Sequence, residues 1–209
     1  MLICIRLRRL ARVLIRSFFI LVIRAWDCYS DSLLEEKLEE YEGVKQIIVN
    51  PCGVDKTDAT EVIQEAIDSG VKEVVVPNAG FPWVVRPIKL RSNQTLIFLP
   101  GVVIEAKKGE FKGRGDSLFS ATNVENLKIS GYGAVLRMHK KDYQNKELYE
   151  PAEWRMVISL TGCRNVVLEG VRCESSGGDG IYIGSTRERN FCENVEIRDV
   201  VCWNNHRQG

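Results

Sequence analysis

The sequence lacks a basic surface outside its first 24 residues, which hold six arginines and no acidic residue. Without those six charges, the formal net charge of +1 becomes −5 for the rest of the chain. Nucleic-acid binding requires clustered positive charge, so the composition gives no support to a nucleic-acid partner. A hydrophobic content of 44% is sufficient for a packed core and does not indicate general disorder.

Long apolar runs are also missing. The run at residues 18–23 is far shorter than the ~20 residues of a membrane span. Arg24 follows it directly, and no small-residue cleavage site typical of a secretory signal is evident. Four earlier arginines share one side of a helical wheel, as in an interfacial basic helix. Three interpretations of residues 1–24 stay open: an export signal or anchor, a surface helix, or a start that is not native. Any membrane contact is expected through this segment only.

A repeat of 29 residues organises the second half of the chain. Its matching pairs are Cys163 and Cys192, Asn165 and Asn194, Cys173 and Cys202, and Gly180 and Gly209. Each copy carries two short apolar runs after the asparagine. Strand-length pieces repeated at this period are typical of a solenoid, in which each repeat stacks on the one before it.

The seven cysteines include no CxxC pair and no cluster with histidine, so we expect no metal site. Because Cys163 and Cys192 share one repeat position, and Cys173 and Cys202 another, each pair should lie on neighbouring coils about 4.8 Å apart. We predict a buried thiol ladder, with disulfides as the alternative.

Upstream of the repeat, short apolar runs separated by turn signals continue from Val74 onward and give three strands per coil. Before them, Asp58 and Glu61 favour a helix start and Gly70 a helix end, which predicts an amphipathic helix that covers the open end of the core. Ser32 and Glu35 fit a capping box, and this predicts a short acidic helix that ends near Gly43.

Two further features follow from aligning the coils. Asn126, Asn165 and Asn194 each precede a second strand, so we predict a structural ladder of stacked amides. Residues 107–116 and 139–154 interrupt the period, and both insertions precede the first strand of a coil. Loops on one edge of a solenoid commonly line a binding groove.

The residues that open the solenoid resemble a known family. The segment with Gly53, Asp55, Thr57, Asp58 and Thr60, followed by Ile63, Gln64, Ala66 and Ile67, resembles the opening of the pectate lyase superfamily, which includes family 28 glycoside hydrolases. The VVVP and SNQTLIFLPGVVIEA segments and GDGIYIG at residues 178–184 are similar to the same group. The resemblance covers roughly residues 44–209. It implies an all-β fold: a right-handed single-stranded parallel β-helix with an N-terminal capping helix.

The chain departs from the family 28 pattern in three respects. GGDGIYIG has one aspartate with no adjacent second one, and G-H-G and R-I-K segments are missing from the sequence. We expect residues 1–43 to form a basic leader and an acidic helix, and residues 44–209 to form a β-helix. Because Gly209 stands where Gly180 stands, just before a strand, we expect this β-helix to be truncated at its C-terminal end.

The repeat alignment also predicts a site. It places Gln208 opposite Asp179 and His206 and Arg207 beside the preceding glycines, and one coil earlier the corresponding residues are 153–155. This combination of an acid, an imidazole, guanidinium groups and aromatic rings matches what an acidic polysaccharide requires.

We expect Asp179 to act as a general acid or base, with His206 as its partner and Glu153 as the second carboxylate of a hydrolase. The candidate substrate-binding residues are Arg155, Arg207, Tyr182 and Trp154. The resemblance implies that a lyase would instead use an arginine or lysine base with Ca²⁺. The competing interpretation is that Asp179 satisfies a turn, His206 and Arg207 are solvated, and Trp154 is a packed lid.

The expected function is therefore that of a secreted or cell-surface carbohydrate-active protein, a hydrolase or lyase acting on a pectin-like, uronate-containing polysaccharide. Two alternatives remain: a non-catalytic glycan-binding or tailspike-like surface β-helix, and an inactive truncated product. A polysaccharide is the expected partner in the first two cases.

Overall fold

The computed structural model describes residues 37–41 and 44–208, which form short strands and one α-helix. The helix α1 spans Thr60–Asp68. The strands are β1 Lys37–Tyr41, β2 Val44–Ile48, β3 Glu73–Val76, β4 Trp83–Val85, β5 Ile88–Lys89, β6 Gln94–Phe98, β7 Val103–Ala106, β8 Phe119–Thr122, β9 Glu125–Ser130, β10 Val135–Arg137, β11 Ile158–Thr161, β12 Arg164–Glu169, β13 Arg172–Glu174, β14 Ile181–Gly184, β15 Glu193–Arg198 and β16 Val201–Trp203.

The strands stack into three sheets that the chain visits in rotation. Sheet A has the order β1-β2-β3-β6-β9-β12-β15, sheet B the order β4-β7-β10-β13-β16, and sheet C the order β5-β8-β11-β14. Every neighbouring pair is parallel except β1 and β2. The chain thus forms a right-handed parallel β-helix with three strands per coil, as predicted.

The core consists of side chains stacked in register between coils. In sheet A, one row contains Val74, Leu96, Ile129 and Leu168, all fully buried, and continues to Ile197. Burying each such side chain contributes about 1.5–3 kcal/mol. Because every coil repeats the arrangement in three sheets, burial along the whole stack holds the strands in place.

The asparagine ladder is confirmed and extends one coil further than predicted. Asn93, Asn126, Asn165 and Asn194 all adopt positive φ angles, between 53° and 61°. The Nδ2 atom of each later residue donates to the Oδ1 atom of the earlier one, over 2.8, 3.0 and 2.8 Å. The sequence intervals are 33, 39 and 29 residues, so the ladder keeps its register although the coils differ in length.

The cysteine pairs are free thiols, as predicted. Cys173 lies opposite Cys202 in sheet B, and the Sγ atom of Cys192 accepts from the backbone N–H of Cys163 at 3.3 Å. Cys163 and Cys173 are buried, whereas Cys192 and Cys202 are half-buried. The hydrogen bond to Cys202, together with burial, raises the pKa of Cys173, and burial raises the pKa of Cys163.

The predicted capping helix is present as α1, which buries Ile63, Ala66 and Ile67 and is followed by Gly70 at φ +73°. Asp58 joins this helix to two coils. One of its oxygens accepts from the backbone N–H of Thr60, and the other lies 3.0 Å from Arg86 Nε and 2.8 Å from Lys107 Nζ. Asp58, which belongs to the segment that carries the family resemblance, therefore has a structural role here.

The predicted acidic helix is wrong where the structure tests it. Residues 37–41 form β1, which pairs antiparallel with β2 at the edge of sheet A. Backbone hydrogen bonding to an available sheet edge outweighs a weak helical preference in this segment. The proposed cap at Ser32 and Glu35, the basic leader and Gly209 lie outside the described residues. Among the described residues, no helix has the length and apolar character needed to cross a membrane.

We expect Asp58→Asn to destabilise the protein at neutral pH. Burial alone raises the pKa of Asp58, but hydrogen bonds from Lys107 and Thr60 outweigh it and lower the pKa from 3.8 to about 2. A carboxylate with a lowered folded pKa stabilises the fold above its unfolded pKa, and this contribution is lost as the pH falls from about 4 to about 2. At pH 7 the free energy of unfolding, measured in urea, should be about 2 kcal/mol lower than that of the wild type. This difference should shrink below pH 4.

The matched control is Glu61→Gln, because the Glu61 side chain is 86% exposed and lies 3.8 Å from Arg86. Its effect should stay within about 0.5 kcal/mol. Equal stability of Asp58→Asn and wild type at pH 7 would contradict the assigned role of Asp58.

Thiol accessibility should follow the burial of the ladder. In the native protein, Cys163 and Cys173 should react with a maleimide far more slowly than Cys192 and Cys202, because buried thiols have raised pKa values and no solvent access. Mass spectrometry of labelled peptides, with and without urea, measures the rates. Equal rapid labelling of all four thiols without urea would be inconsistent with this packing.

Candidate functional site

The outer face of sheet C forms the floor of the candidate site. Tyr182 on β14 lies in register with Ser159 on β11 and Ser120 on β8. The alternation predicted for β14 places Ile181 against the core and Tyr182 on the outer face. Ile183 should also face inward, but it is 45% exposed because β14 is the last described strand of its sheet.

A glycine-rich turn at residues 176–180 leads into β14, and the hydroxyl of Ser176 donates to the carbonyl of Gly178 at 2.7 Å. A Cβ atom on Gly178 would lie 2.6 Å from the carbonyl oxygen of Glu153. A Cβ atom on Gly177 would lie 2.7 Å from the ring of Tyr143. The glycines therefore allow the 139–154 insertion to pack directly against the turn that carries Asp179.

Asp179 is held from the following coil. Its Oδ1 atom accepts from the backbone N–H of Gln208 at 3.0 Å, and its side chain is only 13% exposed. Two backbone bonds fix the same stacking, from Arg207 N to the Gly178 carbonyl and from Gly180 N to the Gln208 carbonyl, at 3.0 and 2.9 Å. The predicted juxtaposition of Asp179 and Gln208 is thus present.

Arg207 lies between two carboxylates. Its Nε atom is 3.7 Å from Asp179 Oδ1 and 3.8 Å from Glu153 Oε2. His206 Nε2 lies 4.0 Å from the other Glu153 oxygen, and His206 Nδ1 lies 3.2 Å from Gln144 Nε2. The structure therefore brings together Asp179, Glu153, His206 and Arg207, as the repeat alignment predicted.

Two aromatic rings lie beside these charges. Trp154 and Tyr182 meet edge to face, with ring centroids 6.3 Å apart and an interplanar angle of 88°. The guanidinium carbon of Arg207 lies 5.4 Å from the centroid of the Trp154 ring. Trp154 is 49% exposed, so it leaves an apolar surface open beside the acids. Such a surface can stack against the C–H face of a sugar ring.

Arg155 requires a correction, because it does not face the groove. Its side chain is fully buried, and it lies 5.6 and 5.5 Å from the ring centroids of Tyr143 and Tyr149. Nε donates to the Phe111 carbonyl at 2.7 Å, and one terminal nitrogen donates to the carbonyls of Lys112 and Glu150 at 3.2 and 3.1 Å. Alternation in sequence could not reveal this inward orientation, because residue 155 precedes the regular part of β11.

Both insertions meet at Arg155 and form one continuous wall. Its carbonyl partners at residues 111 and 112 belong to the first insertion, and the one at residue 150 belongs to the second. The Tyr149 hydroxyl also accepts from the backbone N–H of Gly109 at 3.1 Å. Arg155 thus positions the loop from which Glu153 and Trp154 project.

Sequence reasoning missed Gln144 and Lys140. Gln144 contacts His206, and Lys140 Nζ donates to the carbonyls of Asn204 and Asn205 at 3.2 and 3.0 Å. Both residues come from an insertion with no counterpart in the 29-residue repeat, so alignment of coils gives no register for them. His139, at the start of the same insertion, instead bonds through Nε2 to the Ala106 carbonyl at 2.7 Å.

The residues of the site do not fit Ca²⁺. Calcium requires six to eight oxygen ligands, whereas a guanidinium nitrogen lies between Asp179 and Glu153. Within residues 37–41 and 44–208, no group of three or more histidine, cysteine, aspartate or glutamate side chains has a metal-binding arrangement.

Replacing Arg155 with methionine should loosen the wall. Three carbonyls would lose a buried charged donor, so we expect the free energy of unfolding, measured in urea, to fall by about 2–4 kcal/mol. Limited proteolysis read by mass spectrometry should show new cleavage within residues 107–116 and 139–154. Arg207→Gln is the control, because its half-exposed ion pairs should contribute less than about 1 kcal/mol. If Arg155→Met has the stability and the cleavage pattern of the wild type, Arg155 does not hold the two insertions together.

Sequence comparison finds relatives that are much longer than this chain. No family model matches the chain. It is 24% identical over 177 residues to the SPbeta prophage-derived uncharacterized protein YorA of Bacillus subtilis, covering 77% of this chain and 30% of that protein. It is 32% identical over 69 residues to the uncharacterized protein YclG of the same organism, covering 33% and 12%. The chain therefore spans less than a third of the length of these curated relatives.

Solved structures match comparable shares of this chain. A putative glycosyl hydrolase from Parabacteroides merdae has a TM-score of 0.60 at 22% identity, covering 76% of this chain and 74% of that one. An exopolygalacturonase from Thermotoga maritima has a TM-score of 0.56 at 19%, covering 80% and 48%. Gene product 12 of bacteriophage phi29 has a TM-score of 0.55 at 24%, covering 71% and 21%. At these identities the likeness concerns architecture alone: the chain has a right-handed parallel β-helix fold, as these solved structures do.

Proposed function

We propose that this chain carries the site of a polysaccharide hydrolase in which Asp179 and Glu153 share the acid and base roles. The observation that carries the proposal is the position of Arg207 Nε, 3.7 Å from one carboxylate and 3.8 Å from the other. The two carboxylate oxygens are consequently no more than about 7.5 Å apart, which does not exceed the ~9.5 Å that glycosidase pairs reach.

The two acids differ in a way that suits separate roles. Asp179 is 13% exposed and fixed on a rigid turn, so it can orient water or attack the anomeric carbon. Glu153 is 61% exposed on the insertion and lies beside His206, so it can protonate the leaving oxygen and exchange its proton with the imidazole or solvent. The exposed face of Trp154, beside Tyr182, would stack against the sugar ring.

Several neighbours support a carbohydrate substrate. The similar structures include a putative glycosyl hydrolase and an exopolygalacturonase, and the candidate site described above lies on a fold shared with them. Hydrolysis is favoured over the lyase reaction because the donor set does not fit Ca²⁺ and because Arg207, the available arginine base, is paired with both acids. Since such polymers lie outside the cell, we also propose a secreted or cell-surface location.

A second candidate is a glycan-binding surface β-helix without catalysis. The similarity to a prophage-derived protein and to a bacteriophage gene product favours it. The ion pairs of Arg207 with both acids are also compatible with a binding site in which neither carboxylate transfers a proton.

A polysaccharide panel separates the candidates. Purified protein is incubated with neutral and acidic polymers while reducing ends and the ultraviolet absorbance of unsaturated products are followed. We expect the wild type to release reducing ends without a rise in absorbance. The rate of release should fall at least about 100-fold in Asp179→Asn and in Glu153→Gln. Glu147→Gln, an exposed acid in the same insertion, should retain wild-type activity.

The other outcomes are equally informative. Absorbance from unsaturated ends would replace hydrolysis by a lyase reaction. Binding without either product would favour the second candidate. Unchanged activity of Asp179→Asn, with folding confirmed by urea unfolding, would overturn the assignment of Asp179.

A further inference from the structure

We propose that the sugar unit held at Asp179 is uncharged, so that the substrate is a neutral polysaccharide and not a polymer of uronic acids. This inference rests on the proposed function and narrows its substrate class. It departs from the expectation drawn from the sequence, in which Arg155 and Arg207 bind substrate carboxylates.

Both arginines are already engaged by the protein. Arg155 is fully buried and donates to three backbone carbonyls, so its charge does not reach the groove. Arg207 has its Nε atom between Asp179 and Glu153 and its guanidinium group near Trp154. A sugar carboxylate could use Arg207 only by competing with two acids that are built into the site.

The nearby Lys140 is also bound within the protein, by backbone carbonyls. Its Nζ atom donates to the carbonyls of Asn204 and Asn205, which fixes the turn that carries His206. The lysines of the first insertion precede β8, whereas Asp179 precedes β14 two coils further along, and this offset is about 10 Å. At that separation, which equals about one Debye length, exposed charges are largely screened.

What the site does present suits hydroxyl groups. Asp179 and Glu153 are strong acceptors for O–H donors, and charge-assisted bonds of this kind are about twice as strong as neutral ones. The floor adds the hydroxyls of Ser159 and Tyr182, which donate or accept without a net charge. A uronate carboxylate in the same place would instead face two like charges.

The test compares one backbone with and without its charge. Binding constants are measured by calorimetry for polygalacturonate oligomers, for the same oligomers fully methyl-esterified, and for neutral glucan, galactan and mannan oligomers. We expect a neutral ligand to bind at least about tenfold more tightly than the free acid. Binding of neutral oligomers with no binding of either galacturonan form also supports the proposal.

Preferential binding of the free acid would overturn the neutral-sugar inference and leave the proposed function standing. If no polymer in the panel is bound or cleaved, the proposed function itself fails, and this inference fails with it.

A second measurement probes the role of Arg207 directly. Glu153→Gln removes one of its two acidic neighbours, so the affinity for the free acid relative to a neutral oligomer should rise about fivefold. Glu147→Gln, an exposed acid in the same insertion that lies outside the Arg207 ion pairs, should leave that ratio unchanged. An unchanged ratio in Glu153→Gln would show that Glu153 does not exclude acidic sugars, and would overturn the proposal.

Discussion

Backbone hydrogen bonding between successive coils is the constraint on which the rest of this structure depends. Each strand must lie in register with the same strand one coil earlier, and stacked side chains such as Val74, Leu96, Ile129 and Leu168 fill the interior only in that register. Residues in excess of one coil therefore leave the stack at a turn. The asparagine ladder keeps its register across intervals of 29, 33 and 39 residues, which shows how completely the turns absorb the difference.

The candidate site is built from those excess residues and from the turns that they contact. The insertions at residues 107–116 and 139–154 both precede strands of sheet C, and Arg155 binds carbonyls from each. The loop that carries Glu153 and Trp154 packs against the turn of Asp179 because Gly177 and Gly178 have no side chain in the way. Variation in loop length can thus change the chemistry of the groove while the core remains the same.

Much of the fold could be predicted from the sequence because it is periodic. A repeated asparagine or cysteine reports a position in the coil, and an amphipathic helix before the first coil has one obvious place to pack. The same reasoning located Asp179 opposite Gln208, since a backbone register extends to the turn beside it. It failed for residues 37–41, where a sheet edge determined the conformation, and for Arg155, whose orientation depends on loops that have no repeat. The contact of Gln144 with His206 was beyond reach for the same reason.

The asparagine ladder also gives the stack a direction. Each Nδ2 donates toward the earlier coil and each Oδ1 accepts from the later one, so the amide dipoles of Asn93, Asn126, Asn165 and Asn194 align along the solenoid. Aligned hydrogen bonds polarise one another and strengthen as the row grows. The two ends of the row are chemically different: one offers an amide donor and the other an amide oxygen. Any segment that continues the row beyond Asn194 must supply a hydrogen-bond donor at that position, because a segment that offers only an acceptor cannot pair with the Asn194 oxygen.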